Sequence, residues 1–158
     1  MFKQYSSQGE KKQFNLCIGD WYYVDLKLSV RLKAADGRID RGGGLIWRRS
    51  DPNNYYIARW NPLEQNVRMY KVVDGIRSQL DTAQAPGDPS AFHSLSVVCV
   101  GRDMRAYFDG KLLLEAEDDQ FNARIRLWTK ADAVTEFDDF SVQVAGPADI
   151  EEIGDNRN

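Results

Sequence analysis

Residues 25–33, DLKLSVRLK, alternate without a break. Leu26, Leu28, Val30 and Leu32 share one parity; Asp25, Lys27, Ser29, Arg31 and Lys33 share the other. Successive side chains of a strand point to opposite sides, so this spacing predicts an antiparallel strand with one face in a core and one in water. The same rhythm returns in LIWRR, YYIARW, NVRMYKVV, FHSLSVVCVG, MRAYF, KLLLEAE, ARIRLWTK and EFDDFSVQV. Turn chemistry separates these runs. Three glycines, Gly42 to Gly44, precede LIWRR and signal a bulge or a close backbone approach. SDPNN and NPLEQ are turns, Asp74-Gly75 and Asp109-Gly110 are hairpin dipeptides, and AQAPGDPSA (83–91) reads as a loop. Roughly ten to twelve short strands with regular turn signals predict an all-β protein of two stacked antiparallel sheets. Residues 1–145 form the single sandwich domain of this reading. Residues 146–158, GPADIEEIGDNRN, read as a flexible acidic tail.

Residues 64–70 carry a pattern of a different kind. Val67 and Met69 share one parity, and Glu64, Asn66, Arg68 and Tyr70 share the other. One side of this strand is apolar; the other is a row of hydrogen-bonding groups ending in an aromatic ring. Extending that row across neighbouring strands adds Arg48, Arg59, Asn61, Arg126, Trp128 and Lys130. Guanidinium and amide groups exchange paired hydrogen bonds with vicinal hydroxyls, and Tyr70 or Trp128 offers a ring for the C–H face of a sugar. The bland alternative is a solvated face laced by ion pairs such as Glu64 with Arg59 or Arg68.

Composition narrows the partners. The 158 residues contain 42% hydrophobic and 28% charged side chains, the balance of an ordinary globular domain. A net charge of −3 argues against nucleic acid, which requires a basic excess. No apolar run reaches the ~20 residues of a membrane span, and the first residues lack the apolar core of a signal peptide. Cys17 and Cys99 both fall in strand-like apolar runs and read as buried free thiols, with a disulfide as the alternative.

GRIDRGGGLIWR, DPNNYYIARWNPLEQNVRMYKVVDG and LWTKADAVTEFDDF together resemble the concanavalin A-like lectin/glucanase superfamily. The resemblance is to the bacterial group labelled family 16 glycoside hydrolase-like or 3-keto-disaccharide hydrolase-like, and it spans about residues 3–144. It implies a jelly-roll sandwich whose concave sheet binds carbohydrate in relatives. It also implies a periplasmic or extracellular location and attachment to larger enzymes. Arg126 and Glu136 depart from the group's usual small and aromatic residues, and relatives carry a further strand before this start. The laminarinase-type signature Glu-x-Asp-x-x-Glu is absent, so the catalytic part of the label does not transfer.

The remaining chemistry is sparse. Glycoside hydrolysis needs two carboxyls ~5–9.5 Å apart. Glu64, Asp132 and Glu136 are the candidates on separate segments, and no spacing compels a pair. Relatives hold a structural calcium between the terminal strands, which makes Asp139 a candidate ligand; Asp138 would point to the other face. His93 is the only histidine and reads as a hydrogen-bonded structural residue. Thr129, Lys130 and Asp132 follow Trp128 at the end of a strand, where sandwich loops carry binding groups. The expectation is a non-catalytic, lectin-like module using the concave face. The alternatives are a glycoside-acting domain with a carboxylate pair, or an interaction sandwich without ligand.

Overall fold

The computed structural model describes residues 2–5, 13–17, 24–121, 124–130 and 132–151, with side chains described over 24–121, 128–130 and 132–150. Twelve strands run through these residues: β1 (Phe2–Tyr5), β2 (Gln13–Cys17), β3 (Leu26–Asp36), β4 (Gly43–Asp51), β5 (Asn54–Asn61), β6 (Asn66–Val73), β7 (Ile76–Gln84), β8 (His93–Val100), β9 (Asp103–Phe108), β10 (Lys111–Glu117), β11 (Arg124–Lys130) and β12 (Val134–Val144). They form two six-stranded antiparallel sheets. The first has the order β1-β12-β3-β8-β9-β10 and the second β2-β11-β4-β5-β6-β7.

The core lies between the sheets, where the alternation places it. Leu26, Leu28, Val30 and Leu32 of β3 face Leu45 and Trp47 of β4, Ala58 and Trp60 of β5, and Val67 and Met69 of β6 in one apolar cluster. Each of these side chains is fully buried, worth ~1.5–3 kcal/mol for a large aliphatic residue. Cys99 of β8 joins the cluster as a free thiol, and burial pushes its ionisation up to about 12. The side chain of Cys17 lies outside the described residues.

The glycine run works by close approach. Gly42 has φ +97°, and a Cβ there would meet the Trp60 carbonyl oxygen at 2.1 Å. A Cβ on Gly44 would meet the Ala58 carbonyl oxygen at the same distance. Glycine is the residue that tolerates both demands. The result brings β4 tight against β5.

Residues 146–151, where a loose tail was expected to begin, include one helical turn, Ala148–Glu151. Arg105 of β9 donates to the Ile150 carbonyl at 2.5 Å, and the Gly146 amide donates to Asp149 at 2.8 Å. Residues 152–158 lie outside the described residues. Among the described residues, no helix is long and apolar enough to cross a membrane.

Candidate functional site

The second sheet has an outer face of unusual make-up. Directly across β4, β5 and β6, Ile46 pairs with Ile57 and Ile57 with Tyr70; one step along, Gly44 pairs with Arg59 and Arg59 with Arg68. Trp128 of β11 pairs with Gly44 on the other side. Ile46, Tyr55, Ile57, Tyr70, Val72 and Trp128 form a second apolar cluster on this face, separate from the core. The polar row sits directly against it.

Arg59 is the centre of that row and is only 4% exposed. Its Nη1 donates to Asn66 Oδ1 at 2.9 Å, and its Nη2 donates to Glu64 Oε2 at 2.6 Å and to the Tyr70 hydroxyl at 3.3 Å. A buried guanidinium is costly unless its donors are met, and here three side chains meet them. Glu64 stands in the β5–β6 turn rather than on a strand. Its Oε2 also accepts from Asn66 at 3.3 Å and lies 3.4 Å from Arg68 Nη1. Burial raises the Glu64 carboxyl, but the bonds from Arg59, Asn66 and the Arg68 charge outweigh it and hold the group below its ordinary range.

Two members of the row reach outward. The Glu64 and Arg68 side chains are 45% and 34% exposed. The Glu64 contacts fall on Oε2, leaving Oε1 open. Arg68 Nη1 donates to the Tyr70 hydroxyl at 3.4 Å, and its Nε is buried with no partner among the described residues. Trp128 Nε1 is likewise buried and unpartnered among the described residues. A buried unmet donor costs ~1–3 kcal/mol, a strain this face shares with other buried polar atoms such as Trp47 Nε1.

A supporting layer extends through the β3–β4 loop. Asn61 Nδ2 donates to Asp40 Oδ1 at 2.7 Å, and Lys130 Nζ lies 3.8 Å from Asp40 Oδ2. Burial raises the Asp40 carboxyl despite the charges of Lys130 and Arg59. Asp132 fixes the loop that carries Asp40. Its carboxylate accepts from the backbone amides of Arg38 at 2.7 Å, Ile39 at 3.1 Å and Asp40 at 2.8 Å. Those backbone bonds, led by Asp40 and Arg38, hold the Asp132 carboxyl low.

The structure thus brings Arg59, Asn61, Glu64, Asn66, Arg68, Tyr70, Trp128 and Lys130 to one face. Arg48 is elsewhere. Its φ of +47° falls in a register break between Trp47 and Asp51, so the strand alternation that assigned it to the outer row fails there. Its side chain turns to the end of the sandwich and donates to the Val24 carbonyl at 2.9 and 3.1 Å and to the Gly101 carbonyl at 2.7 Å. Tyr70 and Trp128 are on the face but 5% and 2% exposed, so neither presents an open ring. Asp132 serves the loop and leaves no carboxylate oxygen unengaged. The Arg126 side chain lies outside the described residues.

Asp139, the candidate calcium ligand, stands in no group of three metal-ligating side chains among the described residues. It has φ +48° in the β12 bulge, is solvent-exposed, and lies 3.4 Å from the guanidinium of Arg31. Among the described residues no three His, Cys, Asp or Glu side chains converge on a point. His93 Nδ1 lies 2.7 Å from Asp109 and Nε2 lies 2.9 Å from the Asp88 carbonyl, with its ring 4.7 Å from Trp60 and 5.1 Å from Phe108. It ties the 85–92 loop to the β9–β10 turn.

Two residues of the site escaped the sequence pattern. Asp40 sat inside a segment legible only as a turn. Arg77 of β7 stacks on the Tyr70 ring with its guanidinium carbon 4.2 Å from the centroid. β7 reads IRSQLDTAQ, with no apolar parity to say which way Arg77 faces.

Comparison with known proteins bears on the fold. A carbohydrate-binding module, CBM66 from Bacillus subtilis, superposes with a TM-score of 0.73 over 90% of this chain and 92% of that one, at 22% identity. Sheep galectin-11 in complex with glycerol gives a TM-score of 0.57 over 87% of this chain and all (100%) of that one, at 7% identity. A GH43 protein, BlXynB from Bacillus licheniformis, gives 0.61 at 14% identity, over 78% of this chain but 28% of that one. No protein-family model and no curated protein matches the sequence. The chain therefore has a jelly-roll β-sandwich fold, the one these carbohydrate-binding-module and galectin structures have.

Proposed function

We propose that this chain is a non-catalytic carbohydrate-binding module whose site is the outer face of the second sheet, with Glu64 and Arg68 as its direct contacts. The carrying observation is the buried Arg59 cluster, which holds those two half-exposed side chains in place. Glu64 offers the open acceptor Oε1, and Arg68 offers outward donors beside it. A vicinal diol needs that combination of acceptor and donor. Arg59, Asn66, Asn61 and Tyr70 orient the pair. Lys130, Asp40 and Asp132 support it from the loops. The aromatic rings lie under the polar layer, so contact runs through hydrogen bonds more than through ring stacking. The likeness to a carbohydrate-binding module and to galectins supports the reading at the level of fold.

Carboxyl chemistry supports the non-catalytic form. A glycosidase acid needs a raised carboxyl. Glu64 and Asp132 are both held low. One observation favours a second reading: Asp40 is raised beside the lowered Glu64, the arrangement a hydrolase would use. Asp40→Asn separates the two readings. Loss of polysaccharide cleavage with retained binding makes the domain catalytic; absence of any cleavage by the native chain supports the binding module.

The direct test is a thermal-shift and calorimetric screen against a glycan panel. A bound sugar raises the melting temperature by mass action, and Arg68→Ala or Glu64→Gln should abolish the rise. No shift with any glycan at tens of millimolar contradicts the proposal.

A further inference from the structure

We infer that the saccharide taken by this face carries a carboxylate, read by Arg68 and Arg77 from the two sides of Tyr70. The inference rests on the carbohydrate reading above and specifies its ligand. Arg77 pairs with Val72, Gln79 with Tyr70 and Thr82 with Arg68, so the two arginines flank the tyrosine along adjacent strands. Charge around Tyr70 does not balance. Glu64 is committed to Arg59 at 2.6 Å and reaches Arg68 only at 3.4 Å. Arg77 is exposed, and its described contact is the face of the Tyr70 ring. Among the described residues no carboxylate stands within ion-pair distance of it. Asp40, the next acid, faces Lys130.

The phenol completes the arrangement. Its oxygen accepts from Arg59 at 3.3 Å and from Arg68 at 3.4 Å, which occupies both lone pairs. Its own O–H has no acceptor among the described residues. Burial raises the Tyr70 phenol, but Arg68, Arg59 and Arg77 together outweigh it and hold it below the ordinary value. The open valences on this side of the cluster are therefore donors and positive charge. A neutral hydroxyl wants an acceptor as well as a donor; a carboxylate wants donors alone, and a planar guanidinium meets it with two. Glu64 Oε1, on the opposite side, is left for the ring hydroxyls. A uronic acid residue presents both kinds of group on one ring.

The test uses the full chain and matched pairs of oligosaccharides: oligomers of galacturonate, glucuronate, mannuronate and guluronate, each against its carboxyl-reduced neutral form. Calorimetry at low and at moderate salt should give at least one acidic oligomer binding about tenfold tighter than its neutral partner, with the ratio shrinking as salt rises. Arg77→Ala, at an exposed position, should bring the ratio near one, and Arg77→Lys should restore part of it. Neutral forms binding as tightly as the acidic ones overturns the inference and leaves the carbohydrate reading standing. A preference that survives Arg77→Ala overturns it too. No binding by either member of any pair overturns both.

Discussion

Arg48 and Arg59 are both buried arginines of the second sheet, eleven positions apart in sequence, and they do opposite things. Arg48 at the sandwich end is met by main-chain carbonyls of Val24 and Gly101, groups that belong to the turns flanking β3 and β8. Arg59 on the sheet face is met by the side chains of Asn66, Glu64 and Tyr70. A cation held mainly by backbone fixes the path of the chain, and its one unmet donor, Nη1, is buried out of reach of solvent. A cation satisfied by side chains fixes those side chains, and two of its surroundings, Glu64 and Arg68, keep open valences toward solvent. Burial of charge alone does not mark a site. The identity of the partners does.

The largest effect that sharpens this contrast is Arg48→Ala. It removes a fully buried side chain together with its bonds to the Val24 and Gly101 carbonyls, so unfolding stability should fall by about 3–4 kcal/mol. Calorimetry should show the melting temperature down by roughly 10 °C, with glycan binding retained wherever the variant is folded. Arg59→Ala is next, with a stability loss of about 2 kcal/mol and loss of binding together, because Glu64 and Asn66 lose their tether. Were Arg59→Ala to cost stability and spare binding, the two arginines would be alike and the contrast would fail. Arg68→Ala should change stability by less than about 0.5 kcal/mol yet weaken glycan binding at least about tenfold.

The smallest effect concerns Asp132, whose backbone bonds to Asp40 and Arg38 hold its carboxyl below the ordinary 3.8. A carboxyl lowered by folding contributes stability above its unfolded value and loses it as pH falls through the folded one. Asp132→Asn should therefore be less stable than the parent near neutral pH, with the gap closing below about pH 4. A gap that stays constant down to pH 2 would show that the loop does not depend on this charge.

Much of this was legible in the residues. The alternation of β3 and β6 placed Leu26 to Leu32 and Val67 and Met69 inward, and it placed Asn66, Arg68 and Tyr70 on the opposite face with Arg59. What failed, failed for local reasons. Strand parity holds only while the backbone stays extended; at Arg48 and Asp139 a left-handed φ breaks it, and nothing in LIWRRSD or EFDDFSV announces the break. YYIARW is apolar on both parities because both faces of β5 are buried, so period two has no contrast to report. Trp128 and Tyr70 were assigned to the right face but as open rings, because alternation gives the side of a sheet and not the depth of what covers it. Asp40 and Asp132 act through loop amides at a separation of 92 residues, a contact that no local pattern encodes.

The most direct test of the central claim is amide and side-chain chemical-shift mapping of the labelled chain against a glycan that raises its melting temperature. The account predicts that the moving signals cluster on Asn61, Glu64, Asn66, Arg68 and Tyr70, with the Arg68 guanidinium shifting most. Movement confined instead to the hollow between β9 and β10, lined by Asp103, Arg105, Glu115 and Glu117, would place the site on the other sheet and contradict it.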